Sequence, residues 1–85
     1  MASNYAGFYV YFEDTAGEID DVGAGVSVAV REQGAVSDVA ESPLTTDSTG
    51  YVAAGSFAAV TAGTRVHFRV ENYNGLAGAV SQVTT

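Results

Sequence analysis

The chain has 85 residues and a net charge of −7 at pH 7, with ten acidic residues set against three arginines and no lysine. A surface of that sign repels phosphate backbones and argues against nucleic-acid binding, and the absence of cysteine removes disulfides and thiolate metal sites. A chain this short folds as one domain that hides about 60–65% of its unfolded surface, so its core is thin and association would add to its stability.

Met1 to Gly7 reads as an N-terminal arm with Tyr5 as its only large side chain, leaving residues 8–85 as a single domain. The segment carries no basic n-region and no long apolar run, so neither an export signal nor a membrane span is expected. Phe8 to Phe12 is rich in strand formers. With Phe8, Val10 and Phe12 turned inward, Tyr9 and Tyr11 project outward, where tyrosine offers a large contact area at low entropic cost.

Glu13 to Gly25 reads as a polar loop. Its carboxylates Asp14, Glu18, Asp20 and Asp21 are weak calcium candidates, because calcium takes six to eight oxygen ligands. Their spacing does not follow an EF-hand, so solvated loop charges are the preferred reading and no metal or other cofactor is expected. Val26, Val28 and Val30 alternate with smaller or polar residues as a clear strand. Ala35 to Glu41 suits a short edge strand or an irregular connection, and Pro43 marks an edge or a turn.

Asp47-Ser48-Thr49-Gly50 has turn composition. Tyr51 to Val60 is a strand interrupted at Gly55-Ser56, where glycine points to a bulge or a bend. From Arg65 onward Val66, Phe68 and Val70 fall on one face, and Arg65, His67 and Arg69 on the other. Asn74-Gly75 between two apolar runs is a strong hairpin signal, since both residues accept the positive φ of a type I′ turn, and Leu76 to Val83 closes the domain as a strand. About six or seven short strands with regular turn signals predict an all-β, Ig-like sandwich.

The segments Gly25-Val26-Ser27-Val28-Ala29-Val30, Thr45-Thr46-Asp47-Ser48-Thr49-Gly50-Tyr51 and Val60-Thr61-Ala62-Gly63-Thr64-Arg65-Val66 resemble the prealbumin-like sandwich of carboxypeptidase regulatory and transthyretin-like domains. There a G-x-x-V-x-V strand is followed by T-D-x-x-G and then by A-G-T before a paired strand. The resemblance spans roughly residues 8–72 and implies a non-catalytic module used for attachment, spacing or stabilisation.

Catalysis is not expected. His67 is the only histidine, and it lies in the outward row of a regular strand between Arg65 and Arg69, with no nucleophile and orienting group placed beside it by the sequence. The carboxylates lie in loops with nothing to bury them. The row Arg65, His67, Arg69 is read first as cross-strand pairing with Asp38, Glu41 or Glu71, and second as a stripe that meets the acidic surface of another subunit.

A small sandwich with an arm, an acidic lysine-free surface and no catalytic set suits a structural protein that is arrayed on a larger one. The expected role is a virion protein that decorates a tailed-virus capsid, made in the host cytoplasm. Its partner would be the major capsid protein or another virion subunit, with a homo-oligomer such as a trimer in view, and no membrane. Tyr5, Tyr9, Tyr11, Arg65, His67 and Arg69 are the candidate interface. The acidity fits a halophilic or GC-rich host. The alternative is an extracellular or cell-surface module, from an adhesin or a secreted enzyme, that binds carbohydrate or calcium.

Overall fold

The computed structural model describes residues 2–85, and the runs of β-branched and aromatic side chains in them form strands joined by tight turns. In chain order these are β1 (Ser3–Tyr5), β2 (Phe8–Tyr9), β3 (Tyr11–Glu13), β4 (Ile19–Asp21), β5 (Ser27–Glu32), β6 (Leu44–Thr45), β7 (Tyr51–Val52), β8 (Gly55–Phe57), β9 (Arg65–Tyr73) and β10 (Leu76–Val83). Every pairing is antiparallel, and no described residue is helical. The protein is all-β.

The largest sheet has the order β10-β9-β5-β6. Its long strands alternate as the sequence requires: Val28, Val30, Val66 and Phe68 are buried on one face, while Arg31, Arg65, His67 and Arg69 share the other. The β9–β10 turn is made by Asn74 and Gly75 with φ of 51° and 82°, as the Asn-Gly pair predicts. One register shift lies between Leu76 and Gly78: Tyr73 pairs with Leu76 but Val70 pairs with Gly78, so β9 carries one extra residue there. That extra residue returns Tyr73 to the face of Val70 and Phe68, whereas strict alternation would have sent it outward.

A second run of strands crosses the core face. β1 and β2 pair with β8 and β7 in one unbroken register, Ser3 opposite Phe57 through to Tyr9 opposite Tyr51. β3 continues the same chain and pairs with β4. The core is made where these strands meet the large sheet: Phe57, Val52 and Val60 pack with Val28, Val30, Val66 and Phe68, and Tyr5, Phe8 and Val10 lie against them. Ring centroids of Tyr5 and Phe57 are 4.7 Å apart, and those of Phe8 and Phe68 are 4.9 Å apart.

Buried polar groups tie down the loops. Thr46 Oγ1 accepts from Val26 N at 3.0 Å and donates to Gly23 O at 2.7 Å, and Thr84 Oγ1 accepts from Thr64 N at 3.2 Å. Asp47 Oδ1 accepts from Thr49 N, Thr49 Oγ1 and Tyr51 N, which sets the turn before β7. Gly50 in that turn has φ of 77°, and a Cβ there would stand 2.8 Å from Val10 O.

Four expectations are revised. Among the described residues the strand segments number ten rather than six or seven, because single extended runs break at Ala6-Gly7, Val10 and Ala53-Ala54. Residues 3–5 of the expected arm are β1, held by β8 on one side and by the exchange Asn4 N to Thr85 O (2.9 Å) and Thr85 N to Asn4 O (3.1 Å). The polar loop from Glu13 to Gly25 holds a hairpin, β3–β4, whose second strand is wholly exposed and therefore carries no hydrophobic signature. Gly55 is no bulge: it sits opposite Tyr5 in regular register, and a Cβ there would meet the Tyr5 hydroxyl at 2.7 Å. Glycine at that position makes room for a ring.

Candidate functional site

The two runs of strands close on each other at one end and part at the other. At the closed end Gln82 on β10 clasps the backbone of Ala6, accepting from its N–H and donating to its carbonyl, both at 2.9 Å. Beyond that clasp, among the described residues, no strand pairs with the outer edge of β10. Leu76 and Val80 are 48% and 51% exposed, and β10 is the unpaired outer edge of its sheet. The β3–β4 hairpin rises opposite, touching the β9–β10 hairpin where Phe12 meets Tyr73 at 5.3 Å between ring centroids.

Between them lies an open groove of about 570 Å³. Val22, Val28 and Phe68 are its buried floor. Phe8, Val10, Phe12, Val70 and Tyr73 form half-buried walls, and Leu76 to Val80 form the open lip. Glu13 is the single charged residue in the lining. From Leu76 to the end of the chain no residue carries a side-chain charge. A molecule of net charge −7 thus presents a largely apolar recess with Glu13 as its one charge, continuous with a free strand edge, which is the kind of surface that folded proteins cover with a partner.

No family model, curated protein or solved structure matches this chain. The geometry alone speaks for the site.

The tyrosines expected at an interface divide. Tyr9 and Tyr11 are 67% and 63% exposed and stand at the rim of the groove, with the Tyr9 ring 4.7 Å from that of Tyr51. Tyr5 is drawn into the core between Phe57 and Phe68, at 4.7 and 5.7 Å. Its burial raises the phenol above its usual pKa, and the Glu41 carboxylate adds to the shift. Tyr5 is thus a packing residue whose place depends on Gly55.

The basic stripe lies on the opposite face of the sheet and does not reach the groove. Arg31 joins it from β5, and Asp38 bridges Arg31 Nε at 2.9 Å and Arg69 Nη2 at 2.8 Å. Of the three carboxylates considered for cross-strand pairing, Asp38 is the one that pairs, while Glu41 accepts from Ala58 N. His67 Nε2 is hydrogen-bonded to Gln33 Oε1. Arg65 differs from the other two arginines: its Nη1 donates to Ser81 Oγ at 2.8 Å, which lays the guanidinium across β10 toward the open edge.

The acidic candidates are also sorted. Carboxylate oxygens of Asp14, Glu18 and Asp20 lie within 4.8 Å of one another at the β3–β4 turn. Asp21 faces away, as strand alternation requires after Asp20, and accepts from Gly23 N. Asp14 Oδ1 already accepts from Ala16 N and Glu18 N at 2.9 Å each, so it works as a turn cap.

The groove residues that sequence reasoning missed are Phe12 as a wall, Tyr73, Leu76 and Val80. One signal pointed to them: the uncharged run from Leu76 in so acidic a chain. Tyr73 gave none, because the extra residue in β9 reverses its face.

Proposed function

We propose that this chain is a non-enzymatic structural protein, a small prealbumin-like β-sandwich that works by docking against other protein subunits. The virion is its setting, where it decorates and stabilises a capsid surface. The observation that carries the reading is the open end of the molecule, an apolar groove beside a free and uncharged strand edge. Such a surface fits extended or apolar protein elements better than a charged or sugar ligand, because the lining offers few fixed polar groups. The shared core of the two runs of strands supports the sandwich, and the pairing of His67 with an amide supports a role without catalysis. Antibody labelling of particles in the lysate of infected cells tests the setting. Label on the particle surface is expected, and label confined to the soluble fraction overturns it.

The second reading, a calcium- or carbohydrate-binding module, rests on the convergence of Asp14, Glu18 and Asp20. A rise in melting temperature with millimolar calcium that is lost in Asp20→Asn favours it. An unchanged melt removes its motive.

A further inference from the structure

Resting on that docking role, we propose that the partner at the open edge is a second copy of this chain, joined through antiparallel pairing of β10 with its symmetry mate. The edge has the form this needs. β10 is eight residues long, terminates its sheet, and carries no charge or proline along its length. Two of the devices by which proteins block edge-to-edge pairing, charge and proline, are missing from it. Two chains of charge −7 repel each other over most of their surfaces, so a contact between copies is favoured where both are neutral, and β10 is such a place.

Charge complementarity selects the antiparallel arrangement. A two-fold axis normal to the sheet keeps like faces together, and centring it on Val80 sets Ala77 of one copy opposite Val83 of the other. Glu71 lies beside Ala77 on β9, in the register shift, and Arg65 pairs with Val83. The transverse row then reads Glu71, Ala77, the partner's Val83, the partner's Arg65, and it occurs twice by symmetry. Three strand spacings separate the ends, about 14 Å. Arg65 already shortens that gap, because its guanidinium lies over β10 on Ser81 rather than on a carboxylate of its own chain. Arg31 and Arg69 both lie on Asp38, which leaves Arg65 as the arginine without an acidic partner among the described residues.

The pairing also places the two grooves side by side on one face of an eight-stranded sheet. Leu76 and Val80 of each copy then lie near the apolar lining of the other. The interface is isologous and closes at two copies.

The mass of the full chain in solution, followed by sedimentation equilibrium from about 1 µM to about 1 mM, reads the proposal directly. A reversible passage from 8.7 kDa to twice that mass is expected. A chain that keeps the monomer mass throughout, or that forms a trimer, overturns it. Val80→Lys places two like charges together at the axis and should raise the dimer dissociation constant by at least about tenfold, while leaving the melting of the monomer in place because Val80 is half exposed. Arg65→Glu should weaken the dimer, and adding Glu71→Arg should restore it. An unchanged dissociation constant in Val80→Lys, or no recovery in the double variant, overturns the edge or the register. The virion reading fails separately: a monomer that labels particles sinks only the pairing, and a dimer that labels none sinks only the setting.

Discussion

β6 and β10 are the two edges of one sheet, and they end it in opposite ways. β6 is two residues long, is preceded by Pro43, and continues into Thr46, whose backbone and side chain are bonded to the loop before β5. β10 is eight residues long, uncharged and open. A short edge next to proline offers little to another strand, whereas a long neutral one offers a full ladder of unpaired backbone groups. The contrast extends to the core beneath. On the closed side Phe57, Val60 and Val66 are fully buried; on the open side Leu76 and Val80 are half exposed above a wedge that widens toward the hairpins. With the proposed pairing at β10, one small domain keeps its stability and its capacity for association in different places.

The sharpest way to break this comparison is to remove one large side chain from each side. Phe57→Ala empties the centre of the closed core and should cost about 3–5 kcal/mol, enough to unfold much of so small a domain. Val80→Ala should cost less than about 0.5 kcal/mol in the monomer. Urea titration of both at low protein concentration separates the two sides, and equal losses would mean that the open lip belongs to the core.

Two glycines make the same comparison at the backbone. Gly55→Ala brings a methyl group against the stacked ring of Tyr5 and should destabilise by about 1–3 kcal/mol. Gly78 lies on the open lip with nothing within 4 Å of an added Cβ, so Gly78→Ala should change stability by less than about 0.5 kcal/mol. Thermal melting of the pair is sufficient. A harmless Gly55→Ala would show that Tyr5 is not fixed against its neighbour.

On the outer face Asp38→Ala removes both arginine pairs at once and should cost roughly 1 kcal/mol or less, because the three side chains are about a third exposed. Measured in low and high salt, the loss should shrink as the salt rises.

The smallest effects are those of pH. Asp47 accepts a hydrogen bond from the Thr49 hydroxyl and two more from backbone N–H groups, which hold its carboxyl below the usual range. Its contribution is therefore present above the unfolded carboxyl pKa and is lost as the pH falls through the lower native value. Tyr5 runs the other way: burial raises its pKa, so its contribution is whole below the ordinary phenol value and is lost as the pH rises through the higher native one. Melting curves at acid pH should lose part of their slope in Asp47→Asn, and those at alkaline pH part of theirs in Tyr5→Phe.

What the amino-acid sequence determined by itself is the periodic part of the molecule. Alternation in Val26 to Arg31 and Arg65 to Val70, the Asp47 to Gly50 turn and the Asn74-Gly75 hairpin all follow from a side-chain period of two and from residues that accept positive φ. These signals are local, so they need no knowledge of the rest of the chain. The exposed β4 was hidden because a strand with neither face buried has no pattern. Only the tertiary structure decided that Tyr5 is a core residue, since its partners Phe57 and Phe68 are distant in sequence. It alone turned Tyr73 inward through one extra residue in β9, and it alone left β10 uncovered past the clasp of Gln82 on Ala6. Which apolar strand receives a cover and which is left open depends on how far the opposing strands reach, a matter of long-range geometry that no local pattern records.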